Sequence, residues 1–182
     1  MNSDTPLYKR DPQAWREHLA EGNAKQPRKR VGADAIIRDG RGRFLLVDPK
    51  YKPDWDIPGG MAEANEPPID AVRRELNEEL GLHLPTTRMA LLCLDWVSPH
   101  GVWDDSLMFV FDAGTLTSDQ IEGLYLADSE LAAFEFCTPE QARRRLRPYI
   151  WLRVSAALRA AEGNRVAYLH DGVPISNQIG EV

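Results

Sequence analysis

Hydrophobic and polar positions along this chain alternate in the manner of an α/β domain. Residues 31–38 and 44–47 are rich in aliphatic side chains, and the intervening Asp-Gly-Arg-Gly of 39–42 predicts a hairpin turn. Further strands are predicted at 89–97, 106–112, 131–136 and 165–169. With the helical segments between them, this order predicts helices packed on a mixed β-sheet.

Three segments follow the helical period instead. One helix is predicted over 13–21, and a long one over 139–161 with Thr138 as its N-cap. The third, Pro68–Leu80, opens on a proline that suits a first helical turn, and the following Gly81 suits the left-handed residue that ends a helix. An apolar stripe runs along it at i, i+3, i+7 and i+11: Ile69, Val72, Leu76 and Leu80. This stripe predicts a helix anchored to a core.

The polar side of the same helix carries Glu75, Glu78 and Glu79. Positions i, i+3 and i+4 are neighbours on a helix, so three carboxylates crowd together, at a cost of roughly a few tenths of a kcal/mol per pair. A hard divalent cation would offset their repulsion, and Mg²⁺ prefers such oxygen ligands, with Mn²⁺ fitting the same donors. For these three residues alone, a solvated acidic face with Arg74 paired to Glu78 is the alternative interpretation.

Composition narrows the class of protein. The chain has 182 residues, of which 43% are hydrophobic, and this size favours one globular domain. It has no apolar run long enough to cross a membrane and no apolar signal-peptide core at its start, which predicts a soluble cytoplasmic protein. The net charge of −6 argues against a nucleic-acid polymer as partner. Cys93 and Cys137 are isolated and are interpreted as reduced packing residues. Monomer and homodimer both remain open.

The segment from Gly60 to Leu82 reads GMAEANEPPIDAVRRELNEELGL. It resembles a Nudix box: a glycine, five residues, Glu66, seven residues, and then REUxEExGU, where U is aliphatic. The preceding PDWDIPGG is similar to the aromatic strand that leads into the family's glycine loop. The resemblance to the Nudix hydrolase family covers roughly residues 30–160. It implies an α/β fold, an α/β/α sandwich around a mixed β-sheet.

On this resemblance the chain divides into an N-terminal extension over 1–27, a Nudix hydrolase domain over 28–162 and a C-terminal tail over 163–182, whose packing on the domain stays open. The resemblance also implies metal-dependent hydrolysis of a diphosphate linkage in a nucleoside diphosphate derivative, by attack of water on phosphorus. A nucleoside triphosphate and a nucleotide sugar are both candidates for this small-molecule substrate. No membrane partner is expected.

The resemblance assigns roles residue by residue. The metal ligands are expected to be Glu75, Glu78, Glu79 and the Gly60 carbonyl, with Mg²⁺ as cofactor and Mn²⁺ as an alternative. Glu75 or Glu78 is the expected general base, because both would lie next to the metal. Glu66 and Arg74 are expected to brace the loop against the helix. Outside the box, Glu135 precedes an aromatic residue, where some members place a further acidic ligand or base.

The rest of the substrate must be recognised by residues around the box. Trp55 and Trp103 are candidates to stack on a base, and Arg38 or Lys52 is a candidate to meet phosphates. Two other functions of Nudix-fold proteins are alternatives to hydrolysis. A catalytically silent Nudix-fold nucleotide-binding regulator is disfavoured because every box acid is present. A Nudix-fold isomerase of isoprenoid diphosphates needs cysteine and glutamate motifs that cannot be placed in this sequence.

Overall fold

The computed structural model describes residues 5–175. The helices, numbered α1 to α6, are Leu7–Arg10, Pro12–Ala24, Pro68–Leu80, Ser118–Glu122, Pro139–Arg145 and Pro148–Glu162. The strands, numbered β1 to β8, are Arg30–Arg38, Phe44–Pro49, Gly59–Met61, Ala90–Val97, Ser106–Thr115, Leu131–Cys137, Ala167–His170 and Val173–Pro174. The predicted strands all occur, with ends shifted by one to three residues.

One mixed sheet organises the described residues. Its strand order is β6-β2-β1-β5-β4-β7-β8, with β3 paired to β1 off this path. β1 runs parallel to β5 and β4 parallel to β7, whereas the other pairs are antiparallel. The mixed sheet predicted from the sequence is therefore confirmed.

Strands β2 and β3 share one edge of β1. β1 meets β2 at Arg38 and Phe44, near the end of β1, and meets β3 through Gly32 to Asp34, near its start. Because β2 and β3 occupy different halves of this edge, the chain between them, including Lys52 and Asp56, lies beside an opening at the edge of β1. This opening becomes the cleft of the site described below.

Two apolar cores flank the sheet and make three layers. Alternate residues of β1 face opposite layers because side chains along a strand alternate in direction. Ala33, Ala35 and Ile37 belong to the core under α3, whereas Ile36 belongs to the core under α5 and α6. The buried residues of α3 are Ala71, Val72, Leu76 and Leu80. Sheet and helices thus form the expected α/β/α sandwich.

The predicted long helix over 139–161 is wrong in one respect: it is two helices. α5 ends at Arg145, and α6 begins at Pro148. Arg147 has an extended backbone, with φ −57° and ψ 148°, because the ring of a following proline disfavours the helical conformation. Thr138 does cap α5, accepting a hydrogen bond from the Gln141 N–H at 3.3 Å. Helix α4, which opens on a capping box formed by Thr117 and Gln120, is not predicted by the hydrophobic pattern.

The C-terminal part of the described chain joins the sheet. β7 lies parallel to β4, from Ala167 beside Cys93 to His170 beside Trp96. The predicted tail over 163–182 is described only to residue 175, and residues 176–182 lie outside the described range. Within residues 5–175, none of the helices combines the length and apolar character needed to cross a bilayer.

The α3 core gives a first prediction. Leu76 is fully buried between α3 and the sheet. We expect Leu76→Ala to lower the free energy of unfolding by about 2–5 kcal/mol, because it removes buried methyl groups and leaves a cavity. Urea denaturation followed by circular dichroism measures this loss. Asn77→Ala, on the exposed side of the same helix, is the matched control and is expected to change stability by less than about 0.5 kcal/mol.

Candidate active site

Helix α3 holds the acidic residues of the site and has the predicted bounds. Pro68 occupies its first turn, and Gly81 ends it in the left-handed conformation with φ 64°. The left-handed conformation favours glycine at position 81, where the Tyr125 ring packs against the backbone. With the apolar side of α3 buried in the core, its glutamates lie at the edge of the sheet near β3.

The Gly59–Gly60 turn at the start of β3 lets carboxylates approach the backbone. Gly59 has φ +140°, a conformation that favours glycine, and a Cβ there would collide with the Ala33 carbonyl oxygen. Its N–H donates a hydrogen bond to Glu79 Oε2 at 3.1 Å. A Cβ at Gly60 would lie 2.5 Å from Glu75 Oε1. Gly60 therefore makes room for Glu75 against the main chain, and the Gly59 N–H holds Glu79 beside it.

These carboxylates are partly withdrawn from water. Burial raises the pKa of Glu79 to about 8; the Gly59 N–H opposes the rise, and the charges of Glu75 and Asp34 add to it. Burial also raises the pKa of Glu75, against the opposing effect of Arg74. Glu78 differs, since half of its side chain is exposed. The site concentrates negative charge that a bound cation would stabilise.

Arg74 ties the loop before α3 to the helix. Its Nε and Nη2 donate to the two carboxylate oxygens of Glu66, each at 2.9 Å, and Nη2 also donates to the Met61 carbonyl at 3.1 Å. Its Nη1 donates to Glu75 at 2.9 Å and to Glu78 at 3.0 Å. These hydrogen bonds with Arg74 lower the pKa of Glu66 to about 2. One guanidinium thus connects the loop acid with two acids of the helix.

The donor set suits a hard divalent cation. Within residues 5–175, no group of three or more His, Cys, Asp or Glu side chains is arranged so that it could hold a metal ion by itself. The carboxylates of Glu75, Glu78 and Glu79 and the Gly60 carbonyl nevertheless offer only oxygen atoms, which Mg²⁺ and Mn²⁺ prefer. Mg²⁺ keeps several waters and uses substrate oxygens, so a partial cage is sufficient. The Gly59–Gly60 turn keeps the backbone side of this set free of side chains.

A cleft of about 400 Å³ opens in front of these residues. Gly59, Gly60 and Glu79 line it, together with acidic Asp34 and Asp56. Four basic side chains also line it, namely Arg30, Lys52, Arg147 and Arg153. Lys52 is paired with Asp56, and Arg147 Nε donates to Asp54 at 2.8 Å. The cleft therefore has an acidic end at the Gly59–Gly60 turn and basic side chains along its walls.

Trp103 and Lys52 are the predicted substrate-binding residues that the structure places in the cleft. The Trp103 side chain is 54% exposed, and the Arg30 guanidinium lies 4.4 Å from the ring centroid. Met61 and Met108 line the cleft as well, and Arg30 Nη2 is 3.9 Å from Met61 Sδ. Aromatic, cationic and polarisable groups therefore meet in one place.

Arg38, Trp55 and Glu135 are not among the described residues that line the cleft. Arg38 lies near the far end of β1, where its Nη2 donates to both Asp112 carboxylate oxygens at 2.6 Å. Trp55 stacks under the Arg145 guanidinium at 4.5 Å.

Glu135 also meets Arg145, whose Nη1 donates to it at 2.6 Å. It pairs in β6 with Leu46, which faces the α5 and α6 side of the sheet, so the strand register directs Glu135 away from α3. The expectation that Glu135 joins the acids of the box is therefore not supported by its position.

Sequence reasoning missed other cleft residues. Asp34, Asp56, Arg147 and Arg153 come from three different regions of the chain and converge only in the folded protein. Asp34 did leave a signal, because it is the one acidic residue inside the apolar β1 sequence VGADAII. Arg153 is likewise a charged residue on the apolar side of a helix, and it is 3% exposed.

Comparison with known proteins agrees with this geometry. The NUDIX domain family model matches residues 28–157. A MutT-like protein from Streptomyces ambofaciens is 26% identical over 140 residues, which cover 77% of this chain and 82% of that protein. The crystal structure of a MutT NUDIX hydrolase from Burkholderia pseudomallei is 26% identical, with a TM-score of 0.58, and covers 72% of this chain and 98% of that one.

The NUDIX domain of Shewanella oneidensis NrtR, solved with ADP ribose, has a TM-score of 0.63 at 16% identity, covers 80% of this chain and 97% of that one, and shows likeness of fold. In three further curated relatives, 38–40% identical, the matched segment covers 19–36% of the relative's length. The fold is a Nudix-type sandwich. The chain belongs to the Nudix hydrolase family.

The Arg74–Glu66 pair gives a pH prediction. The pKa of Glu66 is about 2 in the folded chain and about 4.5 without its partners, so its contribution to stability is complete above pH 4.5 and is lost as pH falls towards 2. We expect Glu66→Gln to be less stable than the wild type at neutral pH, with the difference shrinking across this acidic range.

Urea denaturation at several pH values measures this difference. Glu63→Gln is the control, since the Glu63 side chain has no hydrogen bond with the described residues. A stability difference for Glu66→Gln that stays constant from neutral pH to pH 3 would contradict the prediction.

Proposed function

We propose that this protein hydrolyses a diphosphate linkage in a nucleoside diphosphate derivative with the help of Mg²⁺, for which Mn²⁺ can substitute. The observation that carries the proposal is the crowding of Glu75 and Glu79 on the Gly59–Gly60 turn, at one end of a cleft that also contains basic residues. A diphosphate bound to a divalent cation matches both features, because the cation meets the carboxylates and the anion meets the basic side chains.

Four groups of the box would hold the metal: the carboxylates of Glu75, Glu78 and Glu79 and the carbonyl of Gly60. When bound, the metal neutralises phosphate oxygens and makes water easier to deprotonate. Arg74 restrains Glu75 and Glu78 from one side, while the Gly59 N–H fixes Glu79. The chain thereby orients its carboxylates before substrate arrives, which reduces the reorganisation needed during the reaction.

The chemistry needs one proton acceptor. A water oxygen forms a bond to phosphorus, the bridging P–O bond breaks with its electron pair on the leaving phosphate, and the water proton passes to a base. Glu75 and Glu78 are the two candidates for this base. Glu75 lies against Gly60, whereas Glu78 is the more exposed of the two and is easier for a water molecule to reach.

The remainder of the substrate is proposed to lie along Trp103 and Arg30. An exposed indole offers a flat surface on which a nucleobase can stack, and a guanidinium above it adds attraction for a phosphate or an electron-rich ring. Lys52 and Arg147 provide further positive charge in the same cleft. Trp55 and Arg38, the other two candidates from the sequence, are engaged elsewhere and are not included in this subsite.

A substrate panel tests the reaction. Purified protein with Mg²⁺ is incubated with nucleoside triphosphates, nucleotide sugars and isoprenoid diphosphates, and phosphate, pyrophosphate and nucleoside monophosphate are measured. We expect turnover of at least one nucleoside diphosphate derivative, its abolition by EDTA, and its reduction by about 100-fold or more in Glu78→Gln. Glu63→Gln, a surface substitution in the same loop, serves as the control and should retain turnover. Near wild-type turnover by a folded Glu78→Gln, or no release from any compound, would contradict the proposal.

The Trp103 subsite gives a separate kinetic prediction. Stacking of a base on an aromatic side chain contributes about 1–3 kcal/mol, so Trp103→Ala is expected to raise KM about 5- to 150-fold with little change in kcat. Val102→Ala is the matched control, because Val102 is the neighbouring residue and is 92% exposed. Steady-state kinetics of the variant and the control are measured on the best substrate of the panel. An unchanged KM would show that Trp103 does not bind the substrate.

A further inference from the structure

Asp34 is a buried acidic residue outside the Nudix box. It lies in the middle of β1 between Ala33 and Ala35, both fully buried, and is itself only 7% exposed. Its side chain nevertheless lines the diphosphate cleft. A carboxylate in such surroundings costs free energy unless a partner stabilises it.

The described residues provide few interactions that stabilise the buried carboxylate of Asp34. Its carboxylate accepts no hydrogen bond from residues 5–175, and the nearest cation is Arg153 Nη1 at 3.7 Å. Arg153 instead donates from Nε to Asp95 at 2.8 Å. Asp95 also accepts a hydrogen bond from the Gly172 N–H at 3.0 Å, so each of its two carboxylate oxygens has a donor. One guanidinium thus serves two buried carboxylates, and the one that faces the cleft is the less satisfied.

Asp34 and the α3 residue Glu79 both lie beside Gly59, although the Asp34 side chain leaves β1 on the same side as Ile36. It is paired with Gly59 in the β1–β3 register, and a Cβ at Gly59 would lie 2.9 Å from its Oδ1. The N–H of the same glycine donates to Glu79 Oε2. Asp34 and Glu79, from two different elements, therefore meet at Gly59. Burial raises the pKa of Asp34 with Arg153 in opposition, and the charge of Asp34 contributes to the raised pKa of Glu79.

We propose that Asp34 is an additional ligand of the divalent cation, contributed by β1 from outside the box. The ligand class is a hard divalent cation, because the donors that meet at Gly59 are all oxygens. Arg153, behind Asp34, balances part of the charge and is a positioning residue. This inference rests on the proposed metal dependence of the cleft, and it explains why an apolar strand carries a carboxylate with no hydrogen-bond donor of its own.

Direct metal binding tests the inference without relying on turnover. Free Mn²⁺ is measured by electron paramagnetic resonance during titration of the wild type, Asp34→Asn and Asp56→Asn, each first shown to be folded by circular dichroism. We expect Asp34→Asn to bind Mn²⁺ about 10- to 100-fold more weakly than the wild type.

Asp56→Asn is the matched control. It removes the same charge from the same cleft, but Asp56 already has partners in Lys52 and the Ile57 N–H. A much smaller loss is therefore expected for it. A second measurement is the rise in melting temperature on adding Mg²⁺, which should be reduced in Asp34→Asn and retained in Asp56→Asn.

The possible results of these titrations separate the inference about Asp34 from the proposed metal dependence. Wild-type Mn²⁺ affinity in Asp34→Asn overturns the inference, as do equal losses in the two variants, which would indicate a general effect of charge. If the wild type itself binds no Mn²⁺, the proposed metal dependence fails and this inference fails with it. Should Asp34→Asn not fold, Asp34→Ser, which leaves room for water beside Arg153, is titrated in its place with the same criteria.

Discussion

The close approach of carboxylates to the Gly59–Gly60 turn is the constraint on which the rest of this structure depends. Asp34, Glu75 and Glu79 reach this turn from a strand and a helix. A Cβ on Gly59 would collide with Asp34, a Cβ on Gly60 would collide with Glu75, and Glu79 accepts a hydrogen bond from the Gly59 N–H. Bringing like charges together in a partly dry place is unfavourable. The fold must therefore supply both the space and the free energy to hold them there.

The apolar cores supply that free energy. The buried face of α3 fixes the rotation of the helix, and because helical positions are linked by a fixed period, burying Leu76 and Leu80 also determines where Glu75 and Glu79 point. Arg74 provides local compensation from the solvent side, and Arg153 provides it from within the opposite layer. The unfavourable cluster of carboxylates is thus held between two helical layers, and each layer is stabilised by the burial of its own apolar side chains.

The cleft itself is a consequence of sheet topology. β2 and β3 occupy different parts of the same edge of β1, and the chain that connects them carries Lys52 and Asp56 to the opening. Arg147 reaches it because α5 and α6 are separate helices, with an extended residue before Pro148. A continuous helix over 139–161, as the sequence analysis predicted, would place Arg147 differently. The break between the helices is therefore part of the construction of the site.

Features that depend on residues close together in the chain could be predicted from the sequence alone. Proline and glycine signals gave the bounds of α3, aliphatic runs gave the principal strands, and the spacing of the box identified the family, because each of these depends on neighbours within a few residues. Only the tertiary structure decided which distant residues share the cleft. Glu135 was expected to join the acids of the box and Trp55 to stack on a base, but both contact Arg145, since strand register and sheet order set their direction. Asp34 was not predicted as a site residue and lies beside Gly59 together with Glu79, because β1, β3 and α3 meet only after the sheet has formed.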